Sequence, residues 1–221
     1  MLLRSLVTLL LGAAFVAAYA LSFPLVIPGG TEPVLLHRLF GAYTVYAVFP
    51  FLYAFLGRFS TSRGRLFWGW LACSVASLAV FYWAFFAIYT YGDIAPFPTL
   101  LMLIAMMGGE SFLFWLPFLA VREWLDRRGR AVPALLAGAW TAIEASRNFF
   151  PVDFFWAAIG HSQYDNPLFI QWAAVGSNYI LSFFIVWSSS IFYAWAVRRE
   201  RRVKEAAAAL ASWRLKEALG R

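Results

Sequence analysis

Residues 171–204 read QWAAVGSNYILSFFIVWSSSIFYAWAVRRERRVK, and this stretch decides the fold. From Gln171 to Val197 there is no Asp, Glu, Lys or Arg. Then Arg198, Arg199, Arg201, Arg202 and Lys204 arrive together. A helix needs about 20 apolar residues to cross roughly 30 Å of hydrocarbon at about 1.5 Å rise per residue. The uncharged run is long enough to cross, and a basic run is what anchors the end of a span among lipid headgroups. Outward from it the pattern repeats. Apolar runs cover residues 6–23, 41–56, 67–91, 99–121 and 131–149. Pro24, Pro28-Gly29-Gly30 and Gly92-Asp93-Ile94-Ala95-Pro96 act as breakers between them. The expectation is an all-α, polytopic membrane bundle of about six transmembrane helices.

Composition agrees. Of 221 residues, 62% are hydrophobic and only 13% charged, where a soluble domain carries about 25% charged residues. That excludes a soluble enzyme. Ala18-Tyr19-Ala20 mimics a signal-peptide cleavage site, but the apolar length before it reads as a retained helix. Cys73 is the single cysteine, so neither a disulfide framework nor a thiolate metal cluster is expected. No cofactor and no metal are called for. The net charge of +7 does not point to nucleic acid, because the basic residues cluster at the ends of the apolar runs.

Their distribution also orients the chain. With six spans, sixteen of the eighteen Lys and Arg fall on one face, and only Arg38 and Arg147 on the other. The positive-inside rule then puts both termini in the cytoplasm. Residues 1–197 form the membrane helical domain and residues 198–221 a basic cytoplasmic tail. In the tail, Ala206, Leu210 and Trp213 recur at helical spacing, as an amphipathic helix along the inner interface or a solvated helix would show. Residues 150–170 are too polar to span and are expected as the outer loop.

Charged groups in hydrocarbon cost several kcal/mol, so acids within spans stand out. Glu110 follows Gly108-Gly109 in the fourth span. It reads either as a carboxyl binding a polar substrate group or a proton, or as a hydrogen-bonded acid that pins the bundle. No second acid within the membrane accompanies it, as a proton relay would require. Glu144 and Arg147, three apart and so on one helix face, are expected to pair near the outer boundary. In the outer loop, Trp156 and its aromatic neighbours precede Gly160-His161-Ser162-Gln163. Sequence neighbours diverge, so Ser162 beside His161 does not read as a nucleophile and base. Trp83 belongs to an aromatic group, Phe81 to Tyr91, that suits an interfacial belt or an aromatic wall for acyl chains. Cys73 sits in an apolar run, where a thiol keeps its proton and stays inert.

Ile143-Glu144-Ala145-Ser146-Arg147, then Phe155-Trp156, Gly160-His161-Ser162-Gln163 and Pro167, resemble the apolipoprotein N-acyltransferases. Phe67-Trp68-Gly69-Trp70 and Tyr82-Trp83 through Tyr91-Gly92 are similar to that family's third helix and following turn. His161 stands where the family has tyrosine, Phe155 where it has proline, and Asn148 where it has glycine. The resemblance implies a bacterial inner-membrane, multi-pass protein. The family transfers an acyl chain from phospholipid to the N-terminal cysteine of lipoproteins. Its chemistry resides in a nitrilase-like domain with a Glu-Lys-Cys triad. Here Lys204 and Lys216, the only lysines, follow the last span, and Cys73 is within the third, so no triad can be assembled. Three readings follow: a membrane domain working with phospholipids and a separate nitrilase-like chain, a noncatalytic accessory subunit of a larger membrane complex, or a small transporter resting on Glu110.

Overall fold

The computed structural model describes residues 2–23, 41–130, 132–149 and 157–218, and among them it is helical with no strand. The helices are α1 (Leu2–Leu21), α2 (Ala42–Leu56), α3 (Ser62–Val80), α4 (Tyr82–Tyr91), α5 (Pro96–Glu110), α6 (Leu116–Arg127), α7 (Pro133–Ser146), α8 (Pro167–Ile170) and α9 (Ala173–Ala218). Three are long and apolar enough to cross a membrane: α1, the continuous Pro96–Arg127 rod of α5 and α6, and α9. A fourth is added if α3 and α4 count as one span, bent by 57° at their junction. Pro24, residues 28–30, Arg38 and Trp156 lie outside the described residues.

The structure refines the expected spans. The third apolar run is two helices, because the chain leaves helical geometry at Phe81 (φ −95°, ψ 15°). The fourth is joined by a π-helical turn at Ser111–Trp115 directly after Glu110. The fifth is short: the 14 residues of α7 rise about 21 Å, less than the roughly 30 Å of a hydrocarbon core. The sixth is broken at Gly176 and Ser177, then runs without interruption through Val197 into the basic tail. The tail is therefore a continuation of the last helix; the side chains of Leu210 and Trp213 are outside the described residues.

The core is aromatic. Trp115 and Trp140 meet at 4.5 Å between ring centroids, with Phe49 edge-on to Trp140 at 5.3 Å and Phe118 at 5.2 Å. Tyr19 and Phe15 of α1 close the group against Trp115. Five helical segments thus share one seam, each ring held in edge-to-face or tilted geometry that matches its quadrupole. Glycine permits the closest approach: a Cβ on Gly69 of α3 would come within 2.8 Å of both Leu119 and Leu56. Cys73 lies fully buried in this core.

Trp140→Ala removes the ring at the centre of the seam and is expected to cost about 3–5 kcal/mol of stability. Trp195→Ala, at a half-exposed position, is expected to cost less than half as much. Thermal unfolding of both variants in the same detergent measures the difference.

Candidate functional site

The site is built where two helices stop short of being regular. α6 and α7 are antiparallel neighbours joined by the tight turn at Gly129, whose φ is +62°. Climbing α7 from Pro133, the chain reaches Arg147 at the helix end while still at the level of Glu110 on the opposing rod. Arg147 Nη2 donates to Glu110 Oε1 at 2.8 Å, and both side chains are buried to 5% exposure or less. The guanidinium also lies over the Phe114 ring at 4.2 Å. The second carboxylate oxygen of Glu110 accepts from Ser77 Oγ of α3 at 3.0 Å and from Ser111 Oγ at 3.3 Å. One acid thus ties α3, the π-helical turn and α7 together. Just before the π-helical turn, Trp70 Nε1 of α3 donates to the Gly108 carbonyl of α5 at 3.1 Å.

Glu144 is placed differently from the sequence expectation. It lies in the last turn of α7, as expected, but it is not the short partner of Arg147. It is 1% exposed, and its Oε1 accepts the backbone N–H of Ile159 at 2.7 Å. The reason is the direction of α7's faces: Arg147 begins a 3₁₀ turn (Arg147–Phe149) past the helix end, so it swings towards α5 while Glu144 faces α9. The bundle therefore does contain a second buried acid beside Glu110.

The expected outer loop is likewise drawn inward. Ala157, Ala158 and Ile159 are 0% exposed, as are Ser162 and Gln163 in the 3₁₀ turn Ile159–Gln163. Irregular backbone within a membrane protein must have its polar groups satisfied by protein, and here it does. Gly160 N–H donates to Ser182 Oγ at 3.0 Å, Ser162 Oγ to the Ile159 carbonyl at 2.7 Å, and Gln163 Nε2 to the Ala42 carbonyl of α2 at 3.0 Å. Tyr19 Oη reaches the Ala157 carbonyl at 3.4 Å. Asn178 stacks against Gly160 so tightly that a Cβ there would sit 2.1 Å from its Oδ1 and 2.6 Å from its carbonyl oxygen. His161 is exposed while Ser162 is buried, so the two side chains point apart.

Of the residues singled out from sequence, Glu110, Glu144, Arg147, Gly160, Ser162 and Gln163 are gathered in and around this buried network. Trp83 is not: it lies on α4, 40% exposed, beyond the break at Phe81. Trp156 is outside the described residues. Sequence reasoning missed Tyr19, Ser77, Asn178 and Ser182, whose one signal is polarity inside apolar runs. A second ionic cluster lies further along, near the C-terminal end of the rod. Glu123 takes a bidentate contact from Arg65, Nε and Nη2 both at 2.8 Å, with Ser62 Oγ at 2.5 Å. No group of His, Cys, Asp and Glu able to hold a metal is found among the described residues.

Breaking a buried ion pair leaves one charge uncompensated, at about 3–5 kcal/mol. Glu110→Gln and Arg147→Met are each expected to destabilise the protein to that extent, and the double variant to recover part of the loss. Glu144→Gln with Arg147→Met is expected to show weaker coupling. A four-variant thermal cycle for each pair in detergent tests it, and equal coupling in both would contradict the geometry.

The comparisons with known proteins bear on the same residues. The Apolipoprotein N-acyltransferase N-terminal domain model matches residues 34–191. The chain is 28% identical over 138 residues to an apolipoprotein N-acyltransferase of Pseudomonas putida, an alignment covering 57% of this chain and 27% of that protein. This chain thus spans about a quarter of the length of that relative. No solved structure matches. With the family model covering Glu110, Glu144, Arg147 and the whole of the buried turn at Gly160, the chain belongs to the apolipoprotein N-acyltransferase N-terminal domain family.

Proposed function

We propose that this chain supplies the membrane-embedded part of an apolipoprotein N-acyltransferase in a bacterial cytoplasmic membrane. It crosses that membrane about six times with both termini inside. The acyl transfer from phospholipid to a lipoprotein's N-terminal cysteine is then carried out by a nitrilase-like domain or partner on the opposite face. One observation carries this reading: the family's motif residues Glu144, Gly160, Ser162 and Gln163 are all buried and bonded inward. They clamp an irregular segment into the bundle and leave His161, Tyr164 and Asp165 exposed on its rim. A motif arranged this way shapes a surface for a catalytic domain; it does not itself attack a carbonyl.

The placement of the chain's own nucleophilic side chains supports the same division of labour. Cys73 is wholly buried in α3, and Lys204 lies on the tail, paired with Glu200. A thioester-forming cysteine needs an accessible thiolate and a nearby base, and Cys73 has neither access to solvent nor a lysine beside it.

Two outcomes are expected. Incubation of the purified chain with phospholipid carrying a labelled acyl chain leaves Cys73 unlabelled, and N-acylation of a diacylated lipoprotein peptide occurs only in preparations containing a nitrilase-like domain. An acyl adduct on Cys73, found by peptide mass spectrometry, would overturn the proposal. For topology, in a Cys73→Ala background, Asp165→Cys is expected to react with a membrane-impermeant maleimide in intact cells and Ser212→Cys only after lysis.

A further inference from the structure

Outside the site just described, two adjoining recesses lie between α3 and the α5–α6 rod. The first, of about 390 Å³, is apolar and is lined by Phe67, Trp70, Phe112 and Leu116, with Arg63 at its edge. The second, of about 490 Å³, is lined by Ala120, Glu123, Trp124, Arg127 and Arg128. Leu66 borders both, so the two recesses adjoin at that residue, with Arg63 on the first and Arg127 and Arg128 on the second. The stripes are regular. Arg63, Leu66, Phe67 and Trp70 fall on one face of α3, and Phe112, Leu116, Ala120 and Trp124 follow at four-residue steps on the rod. From Phe112 to Ala120 the groove is apolar for about 12 Å, close to half of a hydrocarbon core of about 30 Å, and it then turns cationic.

The charge at this mouth is not used up internally. Its single acid, Glu123, is already satisfied by the bidentate Arg65 and by Ser62, and takes only a long 3.4 Å contact from Arg127. Arg128 rests on the face of Trp124, 4.0 Å from the ring centroid, and among the described residues Arg63 takes part in no ion pair. An apolar slot of one-leaflet depth ending in uncommitted guanidinium groups matches the two halves of a phospholipid: acyl chain below, phosphate above.

We infer that this groove binds one anionic phospholipid from the arginine-rich leaflet, its acyl chain along Phe67, Trp70 and Phe112 and its phosphate at Arg63 and Arg128. The site is separate from the acyl donor, which belongs on the opposite face. It rests on the proposed function only for which leaflet is named, and lipid retention by the purified chain is read without any acyl transfer.

The full chain, purified in detergent and stripped of lipid, is titrated with phosphatidylglycerol, phosphatidylcholine or free glycerol phosphate and examined by native mass spectrometry. One phosphatidylglycerol is expected to be retained in preference to phosphatidylcholine, with glycerol phosphate failing to compete. Arg63→Gln with Arg128→Gln is expected to weaken retention on the order of tenfold or more, since each arginine near an anionic headgroup contributes about a factor of five. Arg199→Gln with Arg202→Gln, removing equal charge from the tail, is expected to leave it unchanged. Phe112→Trp, which narrows the slot with the arginines intact, is expected to lower it as well and serves if the double arginine variant proves unfolded. Equal loss from both arginine pairs, equal retention of the two lipids, competition by glycerol phosphate, or full retention by Phe112→Trp would each overturn the inference.

Discussion

The buried contact between Glu110 and Arg147 constrains the rest of the structure. Two charges removed from water are costly unless they meet in good geometry with their remaining groups bonded. Bringing the two charges together requires α7 to end where it does, so that Arg147 can turn off its axis towards the rod. It also requires the backbone around Glu110 to widen. The π-helical turn after it brings Ser111 beside the carboxylate, and a π-bulge inside a helix commonly marks such a demand. Ser77 then fixes the height of α3 against the rod. Register between three helices follows from one acid, which is how a polar group in an apolar interior most effectively earns its place.

Much of this was present in the sequence as symmetry about the turns. In an antiparallel helix pair, residues equally far from the connecting turn face one another at the same level. Glu110 and Arg147 lie 19 and 18 residues from Gly129. Ser77 and Glu110 lie 17 and 16 residues from Ile94, and Arg65 and Glu123 lie 29 residues on either side of it. Glycine and proline mark both turns plainly, so the buried partners could have been paired by counting. The local rule of three-residue spacing instead suggested Glu144 for Arg147. It failed because helical spacing holds only while the helix continues, and Arg147 already belongs to the following 3₁₀ turn.

Two features left weaker traces. The inward fold of residues 157–163 is irregular backbone whose donors and acceptors are met by Ser182, Ala42 and Glu144, all distant in sequence. Local polarity at Gly160 to Gln163 signalled a loop, and nothing in the stretch itself says that a loop is buried. The bend at Phe81 lacks Gly and Pro, and its cause is tertiary packing of Phe81, 1% exposed, against the core. The membrane character, the order of the helices and the family motif were legible because they depend on composition and short spacing.

The break in α9 explains why the loop is held so closely. Ser177 adopts φ 55° and ψ −165°, a region costly for a residue with a side chain, by about 1–3 kcal/mol. Such a conformation persists only where surrounding contacts determine it. The next residue, Asn178, is the one seated on Gly160, and Ser182, one turn on, accepts the Gly160 N–H. Without the break, the helix would enter at a different angle and Asn178 would not face the loop. The strain at Ser177 and the bare backbone of Gly160 are therefore two sides of one contact. It joins the end of α7, the buried turn and the last helix into a rigid rim, and that rigidity is what the geometry contributes to any chemistry performed above it.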